Sequence, residues 1–548
     1  MKKIFFLITI IIFFCAGCTK DFLDINKDPN NPTEAPLDQL LTSSLKGLGE
    51  SMTLRYGFSN VLAVYMHQIT IREDPDQYGV TSESFYAKTP WEIVYTWPIE
   101  DLNVMINNAQ KNGDMAYLGI GKILKAYIFS ILVDLYGDVP YTEANKMSEL
   151  NTNPKFEKGE EIYPKLLTLL DEAIHNLYSI DKDVQKVPGP DDLIYQGDIE
   201  KWIRLAYTIK FKLYNQIRLV SDVSADIQAL LTKDSLMQKG GDFMLPYGTS
   251  NNPDDRNPAF LEYESGQKSL YMSPWFYEIL RGMNPNRFSG IIDPRVPYYF
   301  YKQLKSTQDT REGNPTEYRD GGFVTIYFGS IGPNRDHSTD GSMTVLGIYP
   351  AGGRYDQGDA LKVSSSSGTG DVPFRFLTFA DFLYIQAELA NSGIITANQR
   401  NLLDSAMGES FALLNTIVKK SATKQTIPTI HDTTVTKYKN SILTEFDAGN
   451  NAVKLEIIMT QKWIQSFGNS VDQYTDYRRT GYPVIFDPNN TTMAPSGKVT
   501  PPKGSPVPVQ CVNAYPLSLP WSQVEHNLNK NAPAPKTPSK FRVFWDKD

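Results

Sequence analysis

The chain has 548 residues, 41% of them hydrophobic and 21% charged, so it is long enough to bury a sizeable core and ordinary for a globular protein. Its formal net charge is −8 and it has no long basic run, which argues against a phosphate-backbone partner; no nucleic acid is expected. Aromatic residues are abundant at 12%, with 31 Tyr and 27 Phe, and Tyr joins an apolar body to a polar tip that suits partly wet binding surfaces.

The first segment reads as an export signal. Lys2 and Lys3 give a positive start, an apolar run follows over residues 4–14, and small residues precede Cys18. The run is too short to span a bilayer, and no other segment reads as that apolar, so no transmembrane helix is expected. Ala16-Gly17 before Cys18 resembles a bacterial lipobox, which implies cleavage after residue 17 and acylation of Cys18. Cys15 and Cys18 belong to this leader, so Cys511 stands alone, no disulfide framework is available, and a small buried apolar role is expected for it. Residues 18–36 are rich in Asn, Asp and Pro and read as a tether.

From Leu37 the texture is helical. Residues 38–69 carry Leu, Met and Val at helical spacing, and residues 91–109 repeat the pattern, with Pro98 marking a break or a first turn. In residues 118–136 Ile123, Tyr127, Ile131 and Leu135 form one i,i+4 line and Leu124, Ile128 and Leu132 the adjacent one. An arc that wide predicts a helix buried on most sides, stopped by Gly137 and Pro140. Further helices are predicted over 160–177, 198–220, 379–390, 399–418 and 452–467. Side-by-side helical hairpins suggest a mainly α fold, a tetratricopeptide-like helical-pair scaffold with long loop-rich insertions. No strict repeat period is visible.

Residues 245–373 and 483–540 are dense in Gly, Pro, Asn and Tyr, and loops of that length are usually functional or disordered. No linker separates independent domains, so a single domain over residues 37–548 is expected, with the scaffold at about 37–244 and 374–482 and the ligand-facing parts at about 245–373 and 483–548.

Four segments occur in a recognisable order. They are CTKDFLDINKDPNNPTEA after the leader, KAYIFSILVDLYGDVPYTEA at 125–144, FLTFADFLYIQAELA at 376–390, and IIMTQKWIQSFGNSVDQYTDYRRTGYP at 457–483, the last followed by the tail VNAYPLSLPWSQVEHNLNKN. In this order the chain resembles the SusD/RagB family of Bacteroidetes outer-membrane nutrient-binding lipoproteins. The resemblance implies a mostly helical body on the outer leaflet, a lid over a SusC-like TonB-dependent transporter, capture of an oligosaccharide or peptide, and no enzymatic activity. Alternatives are a surface glycan-degrading enzyme and a structural transporter subunit that binds no ligand of its own.

Sugars present CH faces that stack on rings and hydroxyls that need polar partners. Residues 72–86 offer both and read as an exposed loop: Arg72, Asp74, Asp76, Gln77, Tyr78, Phe85 and Tyr86. Trp275 with Tyr271, and Tyr327 with Phe328, are second candidates. On this reading Tyr78→Ala weakens capture without unfolding the protein. Trp463, Arg478 and Arg479 read as structural, the arginines tied to Asp472 or Asp476, and Tyr136, Asp138 and Tyr141 as a turn. None of His67, His175, His337, His431 and His526 makes a metal-ligand spacing, and there is no phosphate loop or nucleophile elbow. No cofactor is expected; the acidic stretch 252–257 lacks EF-hand spacing and reads as a solvated turn, not a calcium site.

Overall fold

The computed structural model describes residues 35–71, 76–146, 151–265, 268–305, 307, 317–329, 341–487 and 511–547. Cys18, Arg72, Asp74 and His337 lie outside the described residues.

Among the described residues, thirteen helices build the scaffold. They are α1 (Leu37–Met52), α2 (Phe58–Tyr65), α3 (Phe85–Thr96), α4 (Pro98–Asn112), α5 (Met115–Tyr136), α6 (Gly159–Tyr178), α7 (Ile199–Ile217), α8 (Ser224–Thr232), α9 (Phe379–Asn391), α10 (Gln399–Lys420), α11 (Asp432–Ala448), α12 (Asn451–Gln465) and α13 (Val471–Thr480). Neighbouring helices pack in pairs, α4 with α5, α6 with α7, α9 with α10 and α11 with α12, while α1 lies against α4 and α5 against α6. The helical-pair scaffold predicted from the sequence is therefore present. Strands are few, two to four residues long, and form two-stranded antiparallel ribbons.

Local chemistry sets the boundaries. Pro98 occupies the first turn of α4, where its missing N–H costs nothing, and Gly113 ends that helix in the left-handed region at φ 80°. Gly137 ends α5 at φ 81°. Thr378 and Asp381 form a reciprocal capping box at the start of α9, and Asn398 and Asn450 cap α10 and α12 through their side chains. The stretch 38–69, read as helical throughout, instead breaks at Thr53 and resumes at Phe58. There the chain doubles back so tightly that a Cβ on Gly57 would lie 2.4 Å from the Thr53 nitrogen. Its last residues become a strand, Ile69–Ile71, paired with Leu270–Met272.

Helix α5 is long and apolar enough to cross a membrane, contrary to the expectation that no segment beyond the leader would be. It is buried nearly all round, from Ala116 to Tyr136, and serves as the central core helix. One continuous apolar core runs from Leu37 to Trp545.

The segments at 125–144, 376–390 and 457–483 and the tail meet in this core. Arg478 on α13 donates to the Asp134 carbonyl at 2.5 Å and to the Leu517 carbonyl at 2.7 Å. Gln465 donates to Asp381 at 2.6 Å, and Trp521 to the Asp138 carbonyl at 2.9 Å. Their chemistry is that of an interface between hairpins. Trp463 is enclosed and donates to the Met66 carbonyl at 3.0 Å, Arg479 pairs with Asp476 at 2.7 Å, and Asp138 accepts from the Gly159 N–H at 3.2 Å to fix the turn after α5.

Candidate functional site

The segment after strand Ile69–Ile71 is fastened to the C-terminal tail. The Asp76 carboxylate accepts the Val512 N–H at 3.1 Å, the Asn513 N–H at 3.3 Å and the Asn513 side-chain amide at 2.9 Å. Ser82 donates to the Gln523 side chain at 2.8 Å and its carbonyl accepts the Gln523 N–H at 3.1 Å. Between these clamps lies a pocket of about 300 Å³, lined by Tyr78, Ser82, Asn513, Trp521, His526 and Lys536 among others. Lys536 stands 4.2 Å from the ring centres of both Trp521 and Phe541 and donates to the Tyr136 carbonyl at 2.5 Å. Burial holds its ammonium well below the usual lysine range, against the pull of Asp138.

Three residues past Ser82, α3 opens with an exposed ring, Phe85, flanked by the half-buried rings of Tyr86 and Tyr56. Phe85 is 52% exposed. Its ring meets Tyr86 edge-on at 5.8 Å and Tyr56 at 6.0 Å. The Arg55 guanidinium lies 5.1 Å over Tyr56 and is held by Glu262 at 3.1 Å. Tyr56 was not among the sequence candidates, because the stretch around it read as helix interior; the Arg-Tyr-Gly sequence at the break is the signal that marks it.

The other candidates lie deeper. Gln77 and Tyr78 were expected on an exposed loop and are buried. Gln77 donates to the Thr70 hydroxyl at 2.5 Å and the Ile71 carbonyl at 3.1 Å, and accepts the Ile71 N–H at 3.2 Å, which ties it to the strand. The Tyr78 hydroxyl meets His67 Nε2 at 2.6 Å, and its ring packs on Tyr515 at 5.4 Å and Phe328 at 5.5 Å. Phe328 stacks on His67 at 4.0 Å. Trp275 is buried, donates to the Val484 carbonyl at 3.3 Å and lies 6.0 Å from Phe486. Tyr327 is buried against Tyr318 at 5.5 Å, and Tyr271 is fully buried. The structure thus gathers Tyr78, Phe328, Trp275 and Phe486 into one aromatic cluster around His67 beneath the pocket. His67 adopts φ 54°, and burial lowers its pKa to about 3, so it is neutral.

The sequence matches, over residues 29–503, the SusD-like family described as starch-binding and associating with the outer membrane. The chain belongs to the SusD-like family.

Solved structures agree at the level of the fold. A SusD homolog from Bacteroides fragilis superposes with a TM-score of 0.65 at 17% identity, over 94% of this chain and 100% of that one. A chitin-binding protein gives 0.67 at 18%, again over 94% and 100%. A SusD-like protein from Bacteroides thetaiotaomicron gives 0.62 at 20%, over 90% and 94%. Comparison with curated protein sequences gives no match.

Among the described residues no group of three or more His, Cys, Asp or Glu is placed to hold a metal ion. In the 252–257 stretch Asp254 is engaged by Arg256 at 2.6 Å and Asp255 accepts the Ser250 N–H at 2.8 Å. Cys511 is a free buried thiol, pushed up to about 12 by burial and by Asp76.

Proposed function

We propose that this SusD-like chain is a cell-surface nutrient-binding lipoprotein that captures oligosaccharides and passes them to a SusC-like TonB-dependent transporter. Residues 1–17 direct export, acylated Cys18 anchors the protein in the outer membrane facing the exterior, residues 18–36 form the tether, and residues 37–548 act as one domain. The observation that carries the ligand class is the exposed Phe85 ring, flanked by Tyr56 and Tyr86, three residues past Ser82 of the Tyr78–Trp521 pocket. A half-exposed ring such as Phe85 stacks on a sugar CH face, and the neighbouring Ser82, Asn513 and Arg55 supply hydroxyl partners. The family's starch-binding description and the chitin-binding protein among the structural neighbours support the same class. The role is binding and not catalysis.

Calorimetric titration of the purified protein with malto- and chito-oligosaccharides tests this reading. Saturable binding without turnover is expected, and hydrolysis of either sugar, or binding of neither, overturns it. In cells, Cys18→Ser is expected to release the protein from the outer membrane into a soluble fraction.

A further inference from the structure

Helix α1 turns one polar face away from the core. Gln39, Thr42, Ser43 and Lys46 follow the i, i+3, i+4, i+7 spacing that sets residues on one side of a helix, and none of them is buried. Trp97, at the junction of α3 and α4, lies against this face, and Asp191 borders it from the segment before α7. Together they line an open cleft of about 370 Å³ that shares no residue with the pocket described above.

The indole is fixed at this surface. Its Nε1 donates to the Ser43 hydroxyl at 2.9 Å, and Ser43 donates to the Asp101 carboxylate at 2.5 Å. The ring approaches α1 so closely that a Cβ on Gly47 would lie 2.9 Å from its Cγ. Yet it takes no part in the apolar core: Trp97 is 38% exposed, while the other six tryptophans are buried. With the ring N–H already satisfied, the indole offers a ligand its carbon surface, held in place beforehand.

The polar groups around it are varied. Thr42 donates to the Asp191 carbonyl at 2.9 Å, and the Asp191 carboxylate is oriented by the Tyr117 hydroxyl and the Gly189 N–H, both at 2.8 Å. The side chains of Gln39 and Lys46 are exposed and make no hydrogen bond or ion pair among the described residues. Lys46 offsets one of the two bordering carboxylates, Asp38 and Asp191, so no cluster of one sign selects an ionic ligand. An amide, an ammonium and a carboxylate beside one flat ring supply donors and acceptors together, which is what hydroxyl groups need.

We propose that the Trp97 cleft is a second binding site, for one unit of a neutral oligosaccharide. The sugar's CH face stacks on the indole while its hydroxyls meet Gln39, Lys46 and Asp191. The ligand class rests on the oligosaccharide-capture reading above; the site itself is separate from the Phe85 ring group.

Because Trp97 is the exposed tryptophan, quenching of the protein's fluorescence by acrylamide reports on it. The test is titration of the full chain with maltoheptaose and, separately, with chitohexaose. Saturable protection by at least one of them is expected, with a midpoint that does not move as salt rises. Phe85→Ala should keep this protection. Gln39→Ala removes an exposed side chain without partners, so it leaves the fold intact, and should weaken protection about fivefold. In calorimetry Trp97→Ala should lose this binding event and retain the one that Phe85→Ala removes. Absence of protection by both sugars, unchanged affinity in Gln39→Ala, binding by Trp97→Ala equal to the parent's, or affinity that falls steeply with salt would each overturn the proposal. Calorimetric binding that Phe85→Ala abolishes, with Trp97 unprotected, would sink this site and leave the ring group standing.

Discussion

Arg479 grips Glu388 through two nitrogens, Nε at 3.0 Å and Nη2 at 2.8 Å, with both side chains almost fully buried. The pair joins α13 to α9, and it does not stand alone. Arg218 reaches Glu388 at 2.8 Å, Asp476 reaches Arg479 at 2.7 Å, Lys462 reaches Asp476 at 2.7 Å, and Lys212 reaches Asp472 at 3.0 Å. Burial pushes the Glu388 carboxyl up, but Arg479, Arg218 and Lys462 outweigh it and hold it well below the usual carboxylate range. Removing one partner strands a buried charge, so Arg479→Ala is expected to cost about 3–5 kcal/mol in denaturant unfolding. Arg479→Lys should recover only part of that, because an ammonium cannot reproduce the two-pronged contact. A loss below about 1 kcal/mol, the range of exposed pairs, would show that the network does not hold the hairpins together.

The ring group makes a different prediction. Phe85 is half exposed and packs only edge-on against Tyr56 and Tyr86. Phe85→Ala should therefore leave the melting temperature nearly unchanged while weakening oligosaccharide binding by about 1.4 kcal/mol, or about tenfold. Calorimetry and a thermal melt on the same preparation check both halves. Unchanged affinity would remove this group from the binding surface.

Tyr78 reads differently once its surroundings are known. Its ring is enclosed by Tyr65, Phe328 and Tyr515, and its hydroxyl is bonded to His67. Tyr78→Ala opens a cavity beneath the pocket and is expected to cost about 3–5 kcal/mol, so weakened capture in this variant would come with lost stability. Tyr78→Phe keeps the ring but leaves His67 Nε2 unpaired, at about 1–3 kcal/mol. Chemical denaturation of the two variants distinguishes ring packing from hydroxyl bonding.

Much of the scaffold is legible in the sequence because its determinants are local. The two i,i+4 lines of α5, the Gly137 stop and Pro98 at the start of α4 each need only a few neighbouring residues. Helix α11 escapes such a reading because only Tyr438, Ile442, Leu443 and Phe446 are buried along 17 mostly polar residues. The buried state of Gln77 and Tyr78 depends on partners far along the chain: strand Leu270–Met272, Phe328 and Tyr515. Composition alone places such residues on a loop, because Asp, Pro and Gly surround them.

His67 supplies the acid response. Its imidazole stacks on Phe328 and meets the Tyr78 hydroxyl, while Nδ1 is buried without a partner. Burial lowers its pKa from 6.5 to about 3, so on acidification the unfolded chain takes up this proton first. The contribution is fully present above pH 6.5 and drains as pH falls toward 3, by about 2 kcal/mol between pH 7 and pH 5. Asp134 works in the opposite direction: burial raises its carboxyl to about 6, so the folded state gains from protonation just below that pH. The two are separated by comparing variants. His67→Asn tolerates the left-handed backbone at φ 54° and carries no titrating group. It should be less stable than the parent at pH 7, yet lose about 2 kcal/mol less on going to pH 5, as read from urea midpoints at the two pH values. Parallel losses in parent and variant would show that His67 takes up its proton equally in the folded and unfolded states.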